Sequence, residues 1–187
     1  MLLARRRARR DSTNTSLLAV RSRSCGQALV EFAMVLPVFL FLTVGIIDGA
    51  RMFNANVTLT NGVSEAAVFA ASNAANAVRT CPGGGSGCAG APMTGVICTT
   101  DYSNIACHLV GDSNFLDLHQ LTMSVPKCAP SGAVAPGDCV AGTTAVKGNV
   151  VTITATYLWT PILAVPILTP WANGVTLTAT TKAVILP

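Results

Sequence analysis

The sequence predicts an α+β protein: a long N-terminal transmembrane helix continues into an amphipathic helix, which packs on a small antiparallel sheet, and a cysteine-rich loop region lies between helix and sheet in sequence. Three observations predict this: an uncharged apolar run from Phe32 to Ile47, small residues at helical spacing after it, and two alternating valine/threonine segments near the C-terminus. The predicted regions are a basic leader at 1–26, a transmembrane helix at 27–47, an amphipathic helix at 48–79, cysteine-rich loops at 80–148 and strands at 149–187.

Charge is distributed unevenly along the chain. Residues 1–27 carry seven arginines and one aspartate, a net charge of +6, whereas residues 28–187 carry five cations and seven acids, a net charge of −2. A basic arm can bind nucleic acid, but a short arginine-rich segment beside a membrane span is typical of the cytoplasmic side. Only 11% of the residues are charged, against about 25% in soluble domains. We therefore predict a membrane protein with a cytoplasmic N-terminus that binds no nucleic acid.

The segment at 27–47 is long enough and apolar enough to cross a bilayer as a helix. Pro37 removes one backbone donor inside the span and predicts a kink. The apolar core follows Gly26, whereas a secretory signal has its apolar core before the cleavage site, so a cut after Gly26 would leave the helix in the mature protein. Glu31 lies near the start of the span, where an unpaired carboxylate is costly. Its side chain either reaches the lipid headgroups or pairs with a cation.

Small residues continue at three- or four-residue steps after the span, which predicts a helix that packs on a sheet or on another helix. Asn61-Gly62 is a dipeptide at which this helix could break. The predicted buried stripe comprises Phe53, Val57, Thr60, Val63, Ala67, Ala70, Ala74 and Ala77.

Six of the seven cysteines follow the span, and Cys25 precedes it. An even set of cysteines outside the cytoplasm indicates a disulfide framework. No CxxC motif occurs, and His108 and His119 have no second paired cluster to complete a metal site, so we predict no metal. Six cysteines allow fifteen connectivities, and our hypothesis is the local pairing Cys81–Cys88, Cys98–Cys107 and Cys128–Cys139.

Alternation of apolar and threonine side chains predicts strands at 149–160 and from Val175 to Ile185, paired antiparallel against the helix. A short strand is expected from Leu121 to Val125, and a turn at Asn173-Gly174. The apolar segment from Pro161 to Trp171 contains three prolines and is too short to cross a membrane. It either covers the sheet, lies on the bilayer surface or contacts a neighbouring subunit.

The string GQALVEFAMVLPVFLFLTVGIIDGARMF, from Gly26 to Phe53, resembles the TadE-like family of pilin-like minor proteins in the bacterial tight-adherence (Flp) pilus system. Its Gly-x4-Glu pattern is similar to the cleavage site of type IV prepilins, in which a leader peptidase cuts after glycine and glutamate is the fifth residue of the mature chain. The resemblance returns from Val150 to Ala183. It departs from the family pattern at Ser64 and Val68, where arginine is expected.

This resemblance implies a minor pilin or pseudopilin without enzymatic activity, cofactor or metal. It implies anchoring in the inner membrane, a periplasmic C-terminal domain, cleavage between Gly26 and Gln27, and incorporation into a surface pilus. Glu31 would then pair with the new α-amino group of Gln27 on a neighbouring subunit. The implied partners are membrane lipid, the prepilin peptidase, other pilin-like subunits and pilus assembly proteins.

Two other functions compete with this one. A single-pass envelope protein would keep its leader and never enter a pilus. An enzyme is poorly supported, because the sequence lacks a Gly-x-Ser-x-Gly elbow, and the glycines at 83–85 lack the lysine of a phosphate-binding loop. We therefore predict no catalytic residues.

Overall fold

The computed structural model describes residues 15–82, 88–94, 96, 98, 102–111, 115–131, 136–162 and 174–187, with side chains from Gly26 onward. The chain forms two compact units, Met1–Ile47 and Asp48–Pro187. Several residues named above lie outside the described part of the chain. They are the leader arginines from Arg5 to Arg10, the glycines at 83–85, residues 163–171 of the proline-containing segment, and Asn173.

Helix α1, Thr15–Ala71, contributes residues to both units. Helix α1 begins at Thr15, so it already includes the last part of the predicted leader at 1–26. Leucine and alanine at positions 17–19 are good helix formers. Extending an existing helix also requires no new nucleus, so each added residue costs little.

The C-terminal end of α1 also differs from the prediction, since the helix stops at Ala71 rather than Arg79 and a separate 3-10 turn follows at Asn76–Val78. The Ser72 hydroxyl donates to the Phe69 carbonyl at 2.7 Å, and the Asn73 side chain accepts the Ala75 amide at 2.9 Å. Such side chains compete with helical backbone bonds. The Leu186 amide donates to the Ala71 carbonyl at 2.7 Å and satisfies one of the terminal acceptors.

A second helix was missed by the sequence analysis. Helix α2, Ile105–Gly111, begins where the Asn104 side chain accepts the Cys107 amide at 2.8 Å, a typical N-cap bond. Helix α1 continues through Gly62 without a break. The position of α2 explains why this residue is a glycine. A Cβ on Gly62 would lie 2.8 Å from the Leu109 carbonyl oxygen, so glycine allows the two helices to approach.

Among the described residues, five strands form one antiparallel sheet: β1 at Leu121–Met123, β2 at Lys127–Ala129, β3 at Gly137–Asp138, β4 at Val150–Trp159 and β5 at Val175–Val184. Strand β4 lies at the centre of the sheet. Strand β5 pairs with the full length of β4, from Val150 opposite Val184 to Trp159 opposite Val175. Strands β1 and β2 lie along the other edge of β4, and β3 pairs with β2. Both long predicted strands are thereby confirmed.

Strands β1 and β2 behave as one strand interrupted by a bulge. Leu121 faces Tyr157 and Lys127 faces Thr152, so one extra residue is accommodated between the two ladders. Pro126 lies in this interruption and has no amide to donate. The predicted strand to Val125 therefore ends at Met123.

The core of the second unit lies between α1 and one face of the sheet. Alternate β4 side chains are buried on this face, including Val151, Ile153 and Ala155, while the intervening threonines are partly exposed. The Ser64 and Thr181 hydroxyls lie 3.5 Å apart between helix and sheet. The helix contributes Ala55, Leu59, Val63, Ala66, Ala67, Ala70 and Ala71.

The predicted stripe was correct for Val63, Ala67, Ala70 and Ala77, and Ala74 is partly buried against the core. It was wrong at its beginning, where Thr60 is exposed. Phe53 and Val57 are exposed. The buried face instead begins at Ala55 and Leu59, because Leu59 has the bulk that fills the space over the sheet.

Candidate processing and assembly site

Gly26 lies within α1 and is exposed. Among the described residues, no heavy atom outside its own helical neighbourhood would lie within 4 Å of a Cβ built there. Glycine in a helix interior costs about 1 kcal/mol relative to alanine, so this is a point where the helix opens at low cost. The residues on both sides of the Gly26–Gln27 peptide bond are therefore exposed, at a position of low helix propensity.

Glu31 lies one helical turn after Gln27. The Gln27 side-chain amide donates to a Glu31 carboxylate oxygen, with 3.2 Å between Nε2 and Oε1. Side chains at positions i and i+4 share a helix face, and helical side chains lean toward the N-terminus. The carboxylate of Glu31 is therefore held close to residue 27, where a cut after Gly26 would create a positive charge.

The first unit presents apolar side chains to its surroundings after Glu31. Phe32, Met34, Val35 and Phe39 are all more than half exposed. Pro37 lies inside the helix without ending it. Within the described part of the chain, one helix is long and apolar enough to cross a membrane, and its most apolar window is unburied. This exposed apolar surface fits a lipid environment or the helices of other subunits.

Residues 26–68 match the family model of TadE-like protein. The match begins at Gly26 and covers Glu31, the apolar helix and its continuation to Val68, so it confirms the resemblance over this stretch. The resemblance from Val150 to Ala183 lies outside the match and stays a prediction. No curated protein and no solved structure matches the chain. The TadE-like family is structural and pilus-associated, and the match together with the membrane-length helix fits a Tad pilus-associated protein.

The TadE-like segment, residues 26–68, has a second outward-facing apolar surface in the helix beyond the span. Phe53 is 69% exposed, Val68 is 68% exposed, and Val57 lies one turn after Phe53. These residues occupy the face of α1 that is turned away from the core of the second unit. They extend the apolar surface available for packing beyond the membrane-length part of the helix.

Beyond the TadE-like segment, three disulfides tie the second unit together. They join Cys81 to Cys88, Cys98 to Cys107 and Cys128 to Cys139, which confirms the local pairing hypothesis. The second bridge fixes the first turn of α2, and the third joins β2 to the residue after β3. Six oxidised cysteines fit an oxidising compartment.

The histidines considered as metal ligands lie apart from this framework. His108 Nδ1 is 3.3 Å from a Glu65 carboxylate oxygen, and its ring stacks on Phe69 with centroids 4.3 Å apart. His119 contacts the Thr94 hydroxyl at 3.4 Å. Neither belongs to a group of three or more metal-ligating side chains among the described residues. The contact with Glu65 connects α2 to the TadE-like segment, and the stacking on Phe69 connects α2 to the next turn of α1.

The sequence analysis missed Asp48, the first charged residue after the span. It is 8% exposed and accepts the Ile162 amide with both carboxylate oxygens, at 3.1 and 3.3 Å. The Arg51 guanidinium lies 3.3 Å from the same carboxylate. The sequence signal that could have identified Asp48 was the arginine three residues later. The long-range partner of Asp48 is a backbone amide, which the sequence pattern cannot indicate.

Proposed function

We propose that this chain is a minor pilin or pseudopilin-like structural protein of a bacterial Tad/Flp pilus assembly system. The observation that carries the proposal is the placement of Gly26 and Glu31 at the start of the TadE-like match, directly before a membrane-length apolar helix. In this proposal, a prepilin peptidase cuts between Gly26 and Gln27 on the cytoplasmic side of the inner membrane.

Cleavage changes the electrostatics of the helix start. It removes the basic leader and leaves an α-ammonium group on Gln27, four residues before Glu31. An isolated carboxylate in lipid is costly, whereas a carboxylate beside an ammonium forms a charge-assisted pair. Glu31 pairs with the Gln27 ammonium of a neighbouring subunit, which neutralises both charges in an apolar filament core and fixes the axial register. The Gln27–Glu31 hydrogen bond supports this by showing that the carboxylate reaches back to residue 27.

Lateral packing then supplies the assembly energy. The exposed apolar side chains of the first unit leave lipid and pack on neighbouring helices, and Phe53 and Val57 extend the same kind of contact into the second unit. The disulfide-bonded unit follows as a periplasmic domain carried on the helix. Its three bridges support an oxidising location.

The proposal is tested by removing the Glu31 charge without changing the side-chain shape. Glu31→Gln keeps an oxygen acceptor for Gln27, and Glu65→Gln is the matched control because Glu65 is an exposed glutamate in the same helix outside the span. Sheared pili from cells carrying each variant are probed for the protein. We expect Glu31→Gln to stay in the membrane and be missing from pili, with Glu65→Gln incorporated normally. Equal incorporation of both would remove the role of the carboxylate.

The alternative is an unprocessed single-pass envelope protein that never enters a pilus. It shares the anchor and the disulfide-bonded unit with the leading proposal. It predicts that the chain keeps its leader in the presence of the peptidase and that sheared pili never contain it.

A further inference from the structure

The contact between Asp48 and Ile162 places a distant part of the chain at a known point along the helix. Ile162 follows β4 and Pro161, 114 residues after Asp48, and its amide donates to both oxygens of the Asp48 carboxylate. Both residues belong to the second unit. The position of Ile162 is therefore fixed next to the first residue that follows the predicted span.

A helix that crosses the bilayer with residues 27–47 brings Asp48 to the boundary between hydrocarbon and headgroups. This follows from covalent continuity alone, because Asp48 is bonded to Ile47. A residue whose amide lies within 3.3 Å of the Asp48 carboxylate must lie at the same depth. Under the anchoring proposed above, Ile162 therefore lies close to this boundary.

The side chain of Ile162 is 61% exposed, so most of its surface makes no contact with the described part of the chain. A large aliphatic side chain in this position gains from contact with the upper acyl chains. Arg51, one turn beyond Asp48, keeps 51% of its side chain exposed while it contacts the same carboxylate. An arginine at headgroup depth complements lipid phosphate, and its aliphatic stem tolerates the apolar neighbours.

We propose that Ile162, held by Asp48, inserts its side chain into the lipid interface and makes this end of the second unit a membrane-contacting surface, with Arg51 beside it at phosphate depth. The inference rests on the membrane anchoring proposed above. The proposal concerns Pro161 and Ile162, the two residues of the apolar segment that the structure describes.

The test uses the full chain reconstituted in phosphatidylethanolamine/phosphatidylglycerol vesicles, with Cys25→Ser to remove the thiol outside the disulfide framework. Ile162→Cys is labelled with an environment-sensitive fluorophore under non-reducing conditions. This substitution keeps the amide that binds Asp48. Leu186→Cys is the matched control, because Leu186 is also an exposed aliphatic residue, and its amide contacts Ala71, about 35 Å along the helix from Asp48.

We expect the label at position 162 to shift its emission to the blue and to be quenched by lipid carrying a nitroxide near the top of the acyl chain. The label at position 186 should do neither. Equal quenching at both positions would overturn the proposal, because no one end of the unit would then face the membrane. Unquenched labels at both positions would also overturn it and would favour contact with another subunit.

Alkaline carbonate extraction of the same vesicles separates this inference from the anchoring. Protein that resists extraction but shows no quenching at position 162 overturns the interface contact and leaves the proposed function standing. Protein that is extracted overturns the anchoring, and the inference falls with it. Mass spectrometry of the unreduced protein checks in each variant that the three native disulfides have formed.

Discussion

The backbone of Gly62 in α1 lies so close to Leu109 in α2 that a Cβ on the glycine would be 2.8 Å from the leucine carbonyl oxygen. This approach lets a short disulfide-bonded helix lie directly against the long one. Leu109 itself is 1% exposed, so the contact forms part of the core of the second unit.

Gly62→Ala should therefore destabilise the second unit by about 1–3 kcal/mol, because the added methyl group has to displace backbone atoms. Helix propensity alone predicts the opposite sign, a gain of about 1 kcal/mol. Gly49→Ala is the matched control, since Gly49 lies in the same helix and a Cβ there meets no described atom within 4 Å. Thermal unfolding of the detergent-solubilised chain, followed by near-ultraviolet circular dichroism, compares the two. Stabilisation by both substitutions would contradict the close helix contact.

Substitutions at Leu59 and at Phe53 should distinguish an effect on folding from an effect on assembly. Leu59 is 1% exposed in the core, so Leu59→Ala should cost about 2–5 kcal/mol of unfolding free energy. Phe53 is 69% exposed, so Phe53→Ala should change the unfolding free energy by less than about 0.5 kcal/mol. We expect Phe53→Ala nevertheless to lower the amount of protein in sheared pili. Normal incorporation of this variant would show that the exposed helix face takes no part in packing.

Asp48→Ala should destabilise the second unit by about 1–3 kcal/mol, because it leaves the Ile162 amide without its acceptor. Asp48→Asn retains an oxygen acceptor and should lower the unfolding free energy by less. Arg51→Ala should cost no more than about 1 kcal/mol, since the Arg51 side chain is half exposed and surface ion pairs are weak. Chemical denaturation of the three variants measures the order of their unfolding free energies. A larger loss for Arg51→Ala than for Asp48→Ala would show that the ion pair, and not the amide contact, dominates.

The third disulfide should stabilise the end of the sheet. Replacing Cys128 and Cys139 by serine together should lower the unfolding free energy by about 2–3 kcal/mol, because the reduced chain regains loop entropy in its unfolded state. The double variant avoids leaving a reactive thiol. Its unfolding is compared with that of the wild type under oxidising conditions, and peptide mapping of the unreduced wild type checks the bridge. Unchanged stability would mean that β2 and β3 hold without it.

The elements predicted well from the sequence were those with a strong local pattern. The long apolar run and the alternating strands at 149–160 and after Val175 carry their signal in consecutive residues. The local cysteine pairing succeeded because short loops join each pair.

The errors came from contacts between residues far apart in sequence. Gly62 suggested a helix break, but its role is fixed by Leu109, which belongs to a helix that the sequence analysis missed. The phase of the buried stripe was taken from Phe53, whereas the core selects Ala55 and Leu59. The partner of Asp48 is a backbone amide 114 residues away, and a backbone amide has no residue type that a pattern could reveal.

The candidate processing site was placed from sequence alone, because it depends on the order of glycine, glutamate and apolar residues. The structure adds the exposed position of Gly26 and the hydrogen bond that turns Glu31 toward residue 27. Peptidase cleavage stays a prediction.

The most direct test of the account is the N-terminal sequence and intact mass of the protein purified from membranes, with and without the prepilin peptidase. We predict a chain that starts at Gln27 when the peptidase is present and at the leader when it is absent. Gly26→Val should leave the leader uncut, while Gly49→Ala should be processed normally. A chain that retains residues 1–26 in the presence of the peptidase would contradict prepilin-type processing and would leave the unprocessed envelope protein in its place.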